Sequence, residues 1–253
     1  LTQARNVLAP SQDATVRLMR YFPYAQPRYV PHTDITPGQA NTLHVPEPYT
    51  ISKHANLRVL IVGAVSRNKG GETLDATALA AAQAQAPIEF HLVGYPHKQL
   101  KTQPESSLTI HGAYRDKDLV QIIRRLKPNV VWFPAQWPET YSYTLSACLL
   151  AGIPIVVPDL GAFPERTSHR PWTWVRPWQA SAEQWLAFFM EIRERHFITG
   201  EAPPVALGVA VEGLPFDAAP WSYTKDYLSF LPQVWPTGEN NAPAEAAQTP
   251  VGA

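Results

Sequence analysis

Several common ingredients are scarce in this 253-residue chain, and each scarcity removes a class of protein. There is one cysteine, Cys148, so no internal disulfide can form, and its setting in the apolar run LSACLLAGI makes it a space-filling helix residue. A reducing, cytoplasmic setting is the expectation. Neither sign of charge dominates, since Lys+Arg and Asp+Glu both number 21. That balance argues against a nucleic-acid or membrane-surface binder, while leaving room for a local basic pocket. No apolar run approaches the roughly 20 residues that cross a bilayer, and the start, LTQARNVLAP, lacks a signal-peptide pattern. No Cys/His cluster has metal-ligand spacing, and no Ser-His-Asp arrangement stands out. Residue 1 is not Met, so a fragment or a processed product is expected.

What is present points to an α/β domain. Hydrophobic residues make up 45% of the chain, enough to bury a core. Between about 57 and 195, short apolar runs alternate with helical patterns. LRVLIVG (57–63), IEFHLVG (88–94), SLTIHG (107–112), NVVWF (129–133) and IPIVVP (153–158) read as strands, with WTWVRP (172–177) as a sixth. Helices are expected over 72–85, over 116–127 with Asp116 as N-cap, over 144–152 ending at Gly152, and over 181–195 with Ser181 as cap. Strands each followed by a helix imply right-handed βαβ units and a doubly wound, Rossmann-like parallel sheet.

The flanks differ. Residues 1–56 hold a helix-like piece, SQDATVRLMRYF, and a Pro-rich extended connector. Residues 196–231 begin irregularly and close with a possible C-terminal helix, WSYTKDYLSFL, and the tail 232–253 has the composition of disorder.

Ligands of open parallel sheets collect beyond the carboxyl ends of the strands. After the first strand come Gly63, Ser66, Arg67, Asn68, Lys69, Gly70 and Gly71, a glycine-containing loop with two cations that opens a helix. Free backbone amides and the positive helix end would suit a phosphate. The loop is neither G-x-G-x-x-G nor a Walker loop, and a solvated basic turn explains it equally well. The second strand is followed by Gly94 and Tyr95, the third by Gly112 and Tyr114, pairing backbone access with an aromatic ring. An ordinary strand-ending turn is the simpler reading of His97, and Lys98 reads as solvated. After the fourth strand comes PAQWPETYSYT (134–144), with Glu139 just before a helix start at Ser142–Thr144. The first-turn amides at 142–144 lack intrahelical partners and could hold a diphosphate, with the Thr144 hydroxyl as a further donor. A carboxylate there would repel the diphosphate, so Glu139 suits sugar hydroxyls, or simply caps the helix.

The run PETYSYTLSACLLAGIPIVVPDLGAFPE (138–165) resembles the nucleotide-sugar motif of the group-1 family of retaining glycosyltransferases, which have the GT-B fold. That motif reads approximately E-x-F-G-x-x-x-x-E-A-x-x-x-G-x-P-V-V, followed by G-G-x-x-E. Glu139 takes the first acid's place, Tyr141 the aromatic's, Ser142 the glycine's, and Gly161 with Glu165 the closing turn. GAVSRNKGG (63–71) is similar to the family's first loop, with Lys69 as the phosphate lysine.

The resemblance, which covers about 57–195, implies one half of a GT-B enzyme. Residues 1–56 would be a remnant of the acceptor-binding domain plus connector, most of that domain being missing. The implied activity is transfer of a sugar, with retention, from a nucleotide-diphosphate sugar to a glycan or glycoconjugate acceptor, as in polysaccharide biosynthesis. Glu139 and Lys69 would be catalytic. Gly63, Arg67, Lys69, Gly94, Tyr95, Gly112, Tyr114, Glu139, Tyr141, Ser142, Tyr143 and Thr144 would bind the donor. No metal or cofactor is implied, nor a nucleic-acid partner, and membrane association would be peripheral and through the full-length protein. Three departures stand out: Ala147 replaces the second acid, which binds the ribose; Ala64 replaces an arginine, with Arg67 close by; and Ser142 replaces a glycine. A non-catalytic binding or scaffold module and a sugar-nucleotide epimerase on the same architecture are the alternatives.

Overall fold

The computed structural model describes residues 4, 6–32, 46, 48–96 and 106–205, all within the first of two units, 1–219, into which the chain divides. The expected closing helix at 221–231, the tail, His97 and Lys98 lie outside the described residues.

Six parallel strands form the sheet: β3 (Leu57–Val65), β4 (Ile88–Pro96), β5 (Leu108–Gly112), β6 (Val130–Trp132), β7 (Ile155–Pro158) and β8 (Thr173–Arg176). Their order in space is β5-β4-β3-β6-β7-β8. The chain enters this sheet at β3, moves outward to β5, then returns to the other side of β3 as β6. A crevice therefore opens between β3 and β6, the switch point where such sheets bind ligands.

Two apolar layers sandwich the sheet. Alternate β3 residues divide between them: Leu57, Val59 and Ile61 face one cluster, Leu60 and Val62 the other. The first cluster is covered by α2 (Gly71–Gln83) and α6 (Ala182–Ile192), whose Leu74, Ala78, Trp185 and Phe189 are buried. Trp132 packs there against Trp185, ring centroids 4.9 Å apart, and against Phe189 at 5.2 Å. Aromatic residues of this size dominate core energetics by area alone. The second cluster is covered by α3 (Leu119–Leu126) and α4 (Tyr143–Ala151), and Cys148 lies wholly buried within it. Burial pushes the Cys148 thiol up to about 12, as expected of an inert packing residue.

Helix signals were mostly realised. Ser181 accepts the Gln184 amide and the Gln184 side chain returns the bond, a complete capping box on α6. Gly152 ends α4 in the left-handed conformation, φ 74°. Two expectations need correction. Asp116 is not an N-cap: residues Asp116–Asp118 form one 3-10 turn, and Asp118 is held by Arg115 at 2.6 Å, so α3 starts only at Leu119. Helix α6 stops at Ile192 and runs into a π turn, Arg193–Ile198. There the buried Arg193 guanidinium donates to the carbonyls of Lys53 and Ala55, at 2.6 and 2.8 Å from Nη2, pinning the connector.

The helix expected at 11–22 is present, and two short strands flank it. β1 (Leu8–Ala9), α1 (Gln12–Tyr21) and β2 (Arg28–Tyr29) make a small parallel βαβ unit, with Ser11 capping α1. It docks through Glu165 of α5 (Phe163–Arg166), whose two oxygens accept the Gln12 amide at 3.0 and 2.9 Å. No helix among the described residues is long and apolar enough to cross a membrane.

Candidate functional site

A recess of about 430 Å³ opens at the switch point, lined by His32, Lys69 and the run Trp137–Thr144. Two loops build it. The first follows β3, and its turn is closed internally: the amides of Lys69 and Gly71 donate to the Ser66 carbonyl, and that of Gly70 to Arg67, at 2.9–3.1 Å. The expectation of free loop amides for a phosphate is thereby corrected at 69–71, because the loop spends them on its own turn. What it presents is the Lys69 side chain, 49% exposed.

The second loop follows β6 and is gripped from both sides. Gly70, at φ 83°, packs so closely on it that a Cβ would lie 1.9 Å from the Pro134 carbonyl oxygen. The Gln136 amide donates to Asn68 at 2.8 Å, crossing between the loops. On the far side Gly161, φ 63°, admits no Cβ either, since one would lie 2.6 Å from the Glu139 carbonyl oxygen, which itself accepts the Ala162 amide at 2.8 Å. Glycine is required at both contacts by conformation and by space. The result is a Glu139 held by its backbone, with its carboxylate 19% exposed and 3.6 Å from the Lys69 ammonium.

Helix α4 then begins at the recess. No side chain caps it, and Ser142, its N-cap, sits at φ 75°, a conformation costly for a residue with a Cβ. Arg166 offsets that cost. Its guanidinium donates to the carbonyls of Tyr141 and Ser142 at 2.8 and 2.7 Å and to the Ser146 hydroxyl at 2.8 Å, and lies 3.7 Å over the Tyr141 ring. Ser142 Oγ and Thr144 Oγ1 are 3.2 Å apart. The recess thus sets a lysine–carboxylate pair beside the positive start of a helix, which suits a ligand with an anionic part and a hydroxyl-bearing part.

Of the expected residues, the recess gathers Lys69, Glu139, Tyr141, Ser142, Tyr143 and Thr144, and Gly63 lies against Thr144, whose Cγ2 would be 3.5 Å from a Cβ there. It does not gather the others. Arg67 is turned to solvent, 3.5 Å from Glu72. Gly94 serves sheet packing, since a Cβ would lie 2.0 Å from the Gly63 carbonyl oxygen. Tyr95 stands exposed at the end of β4, Gly112 faces open space, and Tyr114 packs on the second core cluster, where burial raises its phenol. Ala147 is half-buried and packs on the same cluster.

Sequence reasoning missed two residues. His32 reaches the recess from the N-terminal segment, its ring stacked over Tyr143 at 5.6 Å and edge-on to Tyr141 at 4.9 Å, while its carbonyl accepts the Tyr141 phenol at 3.2 Å. Nothing local marks it, because its partners lie more than 100 residues away. Arg166 carried a weak signal, the FPER turn opening a short helix. Among the described residues no group of three or more His, Cys, Asp or Glu is placed to hold a metal ion.

No protein-family model matches the chain, and no curated protein matches it. Solved structures do. HepE of Anabaena, crystallised with UDP and glucose, aligns at 18% identity over 76% of this chain and 54% of its own, TM-score 0.54. Sucrose-phosphate synthase of Thermosynechococcus elongatus aligns at 18% identity over 76% and 50%, TM-score 0.54. The lipopolysaccharide outer core galactosyltransferase WaaB aligns at 18% identity over 80% and 55%, TM-score 0.55. The chain spans about half the length of these structures. It has the Rossmann-like fold found in GT-B glycosyltransferases.

Proposed function

We propose that the chain is the donor-binding part of a glycosyltransferase that moves a sugar, with retention, from a nucleoside-diphosphate sugar to a glycan or glycoconjugate acceptor. The observation that carries this reading is the pairing of Lys69 and Glu139, 3.6 Å apart, with the open start of α4 in one recess at the switch point. Support comes also from HepE, whose crystals hold UDP-glucose, or UDP with glucose. The Lys69 ammonium and the first-turn amides of α4 stabilise the leaving diphosphate, with Thr144 as a hydroxyl donor, an electrostatic role strongest in transition states that gather charge there. Glu139 accepts hydrogen bonds from the sugar. The acceptor oxygen bonds to the anomeric carbon on the face from which the diphosphate departs, and the acceptor proton leaves with the phosphate. No metal enters this scheme. Ala147 offers the ribose no acid.

Calorimetric titration with UDP, GDP and dTDP tests the reading. At least one binds, and Lys69→Ala weakens it about tenfold or more, the loss of a charge-assisted bond to phosphate. If none binds, or if Lys69→Ala changes nothing, the reading fails. Ala147 favours a second reading, a module that binds the nucleotide sugar without transferring it. Sugar transfer by the chain supplied with an acceptor-binding half would exclude that.

A further inference from the structure

The sheet has a second recess at its opposite, amino end. It is about 530 Å³ and is lined by Pro48 and Tyr49 of the connector, Arg124 and Lys127 at the end of α3, Pro128 and Asn129 before β6, and Ile153 and Pro154 before β7. β6 is three residues long, so roughly 10 Å of strand separates it from the donor recess.

Its chemistry is one-sided. The lining carries two cations, Arg124 and Lys127, and no carboxylate among the described residues. Arg124 spends one N–H on the Leu150 carbonyl at 2.8 Å and keeps the rest of its fork. Lys127 is exposed and takes the left-handed conformation, φ 47°, where glycine is the usual choice. Asn129 is 2% exposed; its Oδ1 accepts the Arg58 amide at 2.8 Å, which fixes the orientation of the side-chain amide, and its Nδ2 has no hydrogen-bond partner. A buried donor without an acceptor costs about 1–3 kcal/mol, so such groups call for an explanation. The cations could be there only to complement the helix end. That end carries about half a negative charge, and α3 sets Arg124, Arg125 and Lys127 around it, more than complementation needs. Pro48, Pro128, Pro154, Ile153 and the Tyr49 ring supply stiff apolar walls, and the Tyr49 hydroxyl donates its proton to the Lys127 carbonyl.

We propose that this recess binds a small organic oxyanion, a carboxylate or phosphate carried on a ring. The oxyanion takes Arg124 and Lys127, an acceptor atom satisfies Asn129 Nδ2, and the ring lies between Tyr49 and the prolines. This is independent of the donor site.

The test is ¹H–¹⁵N NMR of the full chain titrated with phenyl phosphate, benzoate and orthophosphate. Phenyl phosphate or benzoate should shift the Asn129 side-chain amide and the Lys127 amide saturably in the millimolar range, and the tighter of the two identifies the oxyanion. Arg124→Ala, an exposed change that leaves the fold intact, should weaken the response about tenfold. Lys69→Ala, which empties the other recess of its cation, should leave it unchanged. No saturable shift at Asn129, a response indifferent to Arg124→Ala, or one abolished by Lys69→Ala would overturn the proposal. An equal response to orthophosphate would overturn the requirement for a ring.

Discussion

The carboxyl edge of the sheet is built in two ways. Beyond β3 and β6 the loops lock together: Gly70 lies against Pro134, Gly161 lies against Glu139, and backbone bonds cross between them. At the ends of β4 and β5, among the described residues, Tyr95 is exposed and nothing lies within 4 Å of where a Gly112 Cβ would be. Only the first makes a preorganised site, because close backbone approach leaves Lys69 and Glu139 little freedom to lose on binding.

The sharpest way to break this comparison is to add one methyl group on each side. Gly70→Ala puts a Cβ onto the Pro134 backbone in an unfavourable conformation, and about 3 kcal/mol or more of stability is expected to go. Gly112→Ala meets the same positive φ but no neighbour, so about 1 kcal/mol is the expected cost. Urea melts of both variants measure the gap; equal losses would mean that the locking of the loops is illusory.

A smaller effect comes from α5, which follows the Gly161 contact. Burial raises Glu165 from the ordinary glutamate value of 4.5 to about 7, against the opposing pull of the Gln12 and Asp13 amides. A raised folded value means that the folded state binds the proton more tightly. The associated stability is complete below about pH 4.5 and is lost as pH rises through about 7. Thermal melts should therefore fall between pH 5 and pH 8, and Glu165→Gln should flatten that slope. A wild-type curve that rises with pH would refute the assignment.

The smallest effect is expected at Ser142. Glycine relieves the positive φ but gains unfolded-state entropy, so Ser142→Gly should lie within about 1 kcal/mol of wild type. A chemical-denaturation midpoint far below wild type would show that the serine hydroxyl, not the Arg166 clamp, holds the start of α4.

Much of the fold was legible. Parallel strands buried on both faces read as unbroken apolar runs, as LRVLIVG and IPIVV do, and the SAEQ box announced α6. Lys69, Glu139 and Tyr141–Thr144 were legible because they occupy the ends of such runs. Arg67 was not separable from Lys69 by sequence, since both are cations of one loop, and only the course of the chain turns one inward. Glu165 matched the acid of the closing turn, and nothing local shows that it receives the Gln12 amide of α1, across 153 residues.

The sequence by itself determined the class of sheet, its two apolar layers and the helix that follows Glu139, since these follow from unbroken apolar runs and from the Gly152 stop. Tertiary structure alone decided which loop ends meet. It spent the 69–71 amides on an internal turn, brought His32 over Tyr143, and set Arg166 under Ser142. Those contacts depend on strand order in space, and the return of the chain from β5 to β6 is written in no single segment.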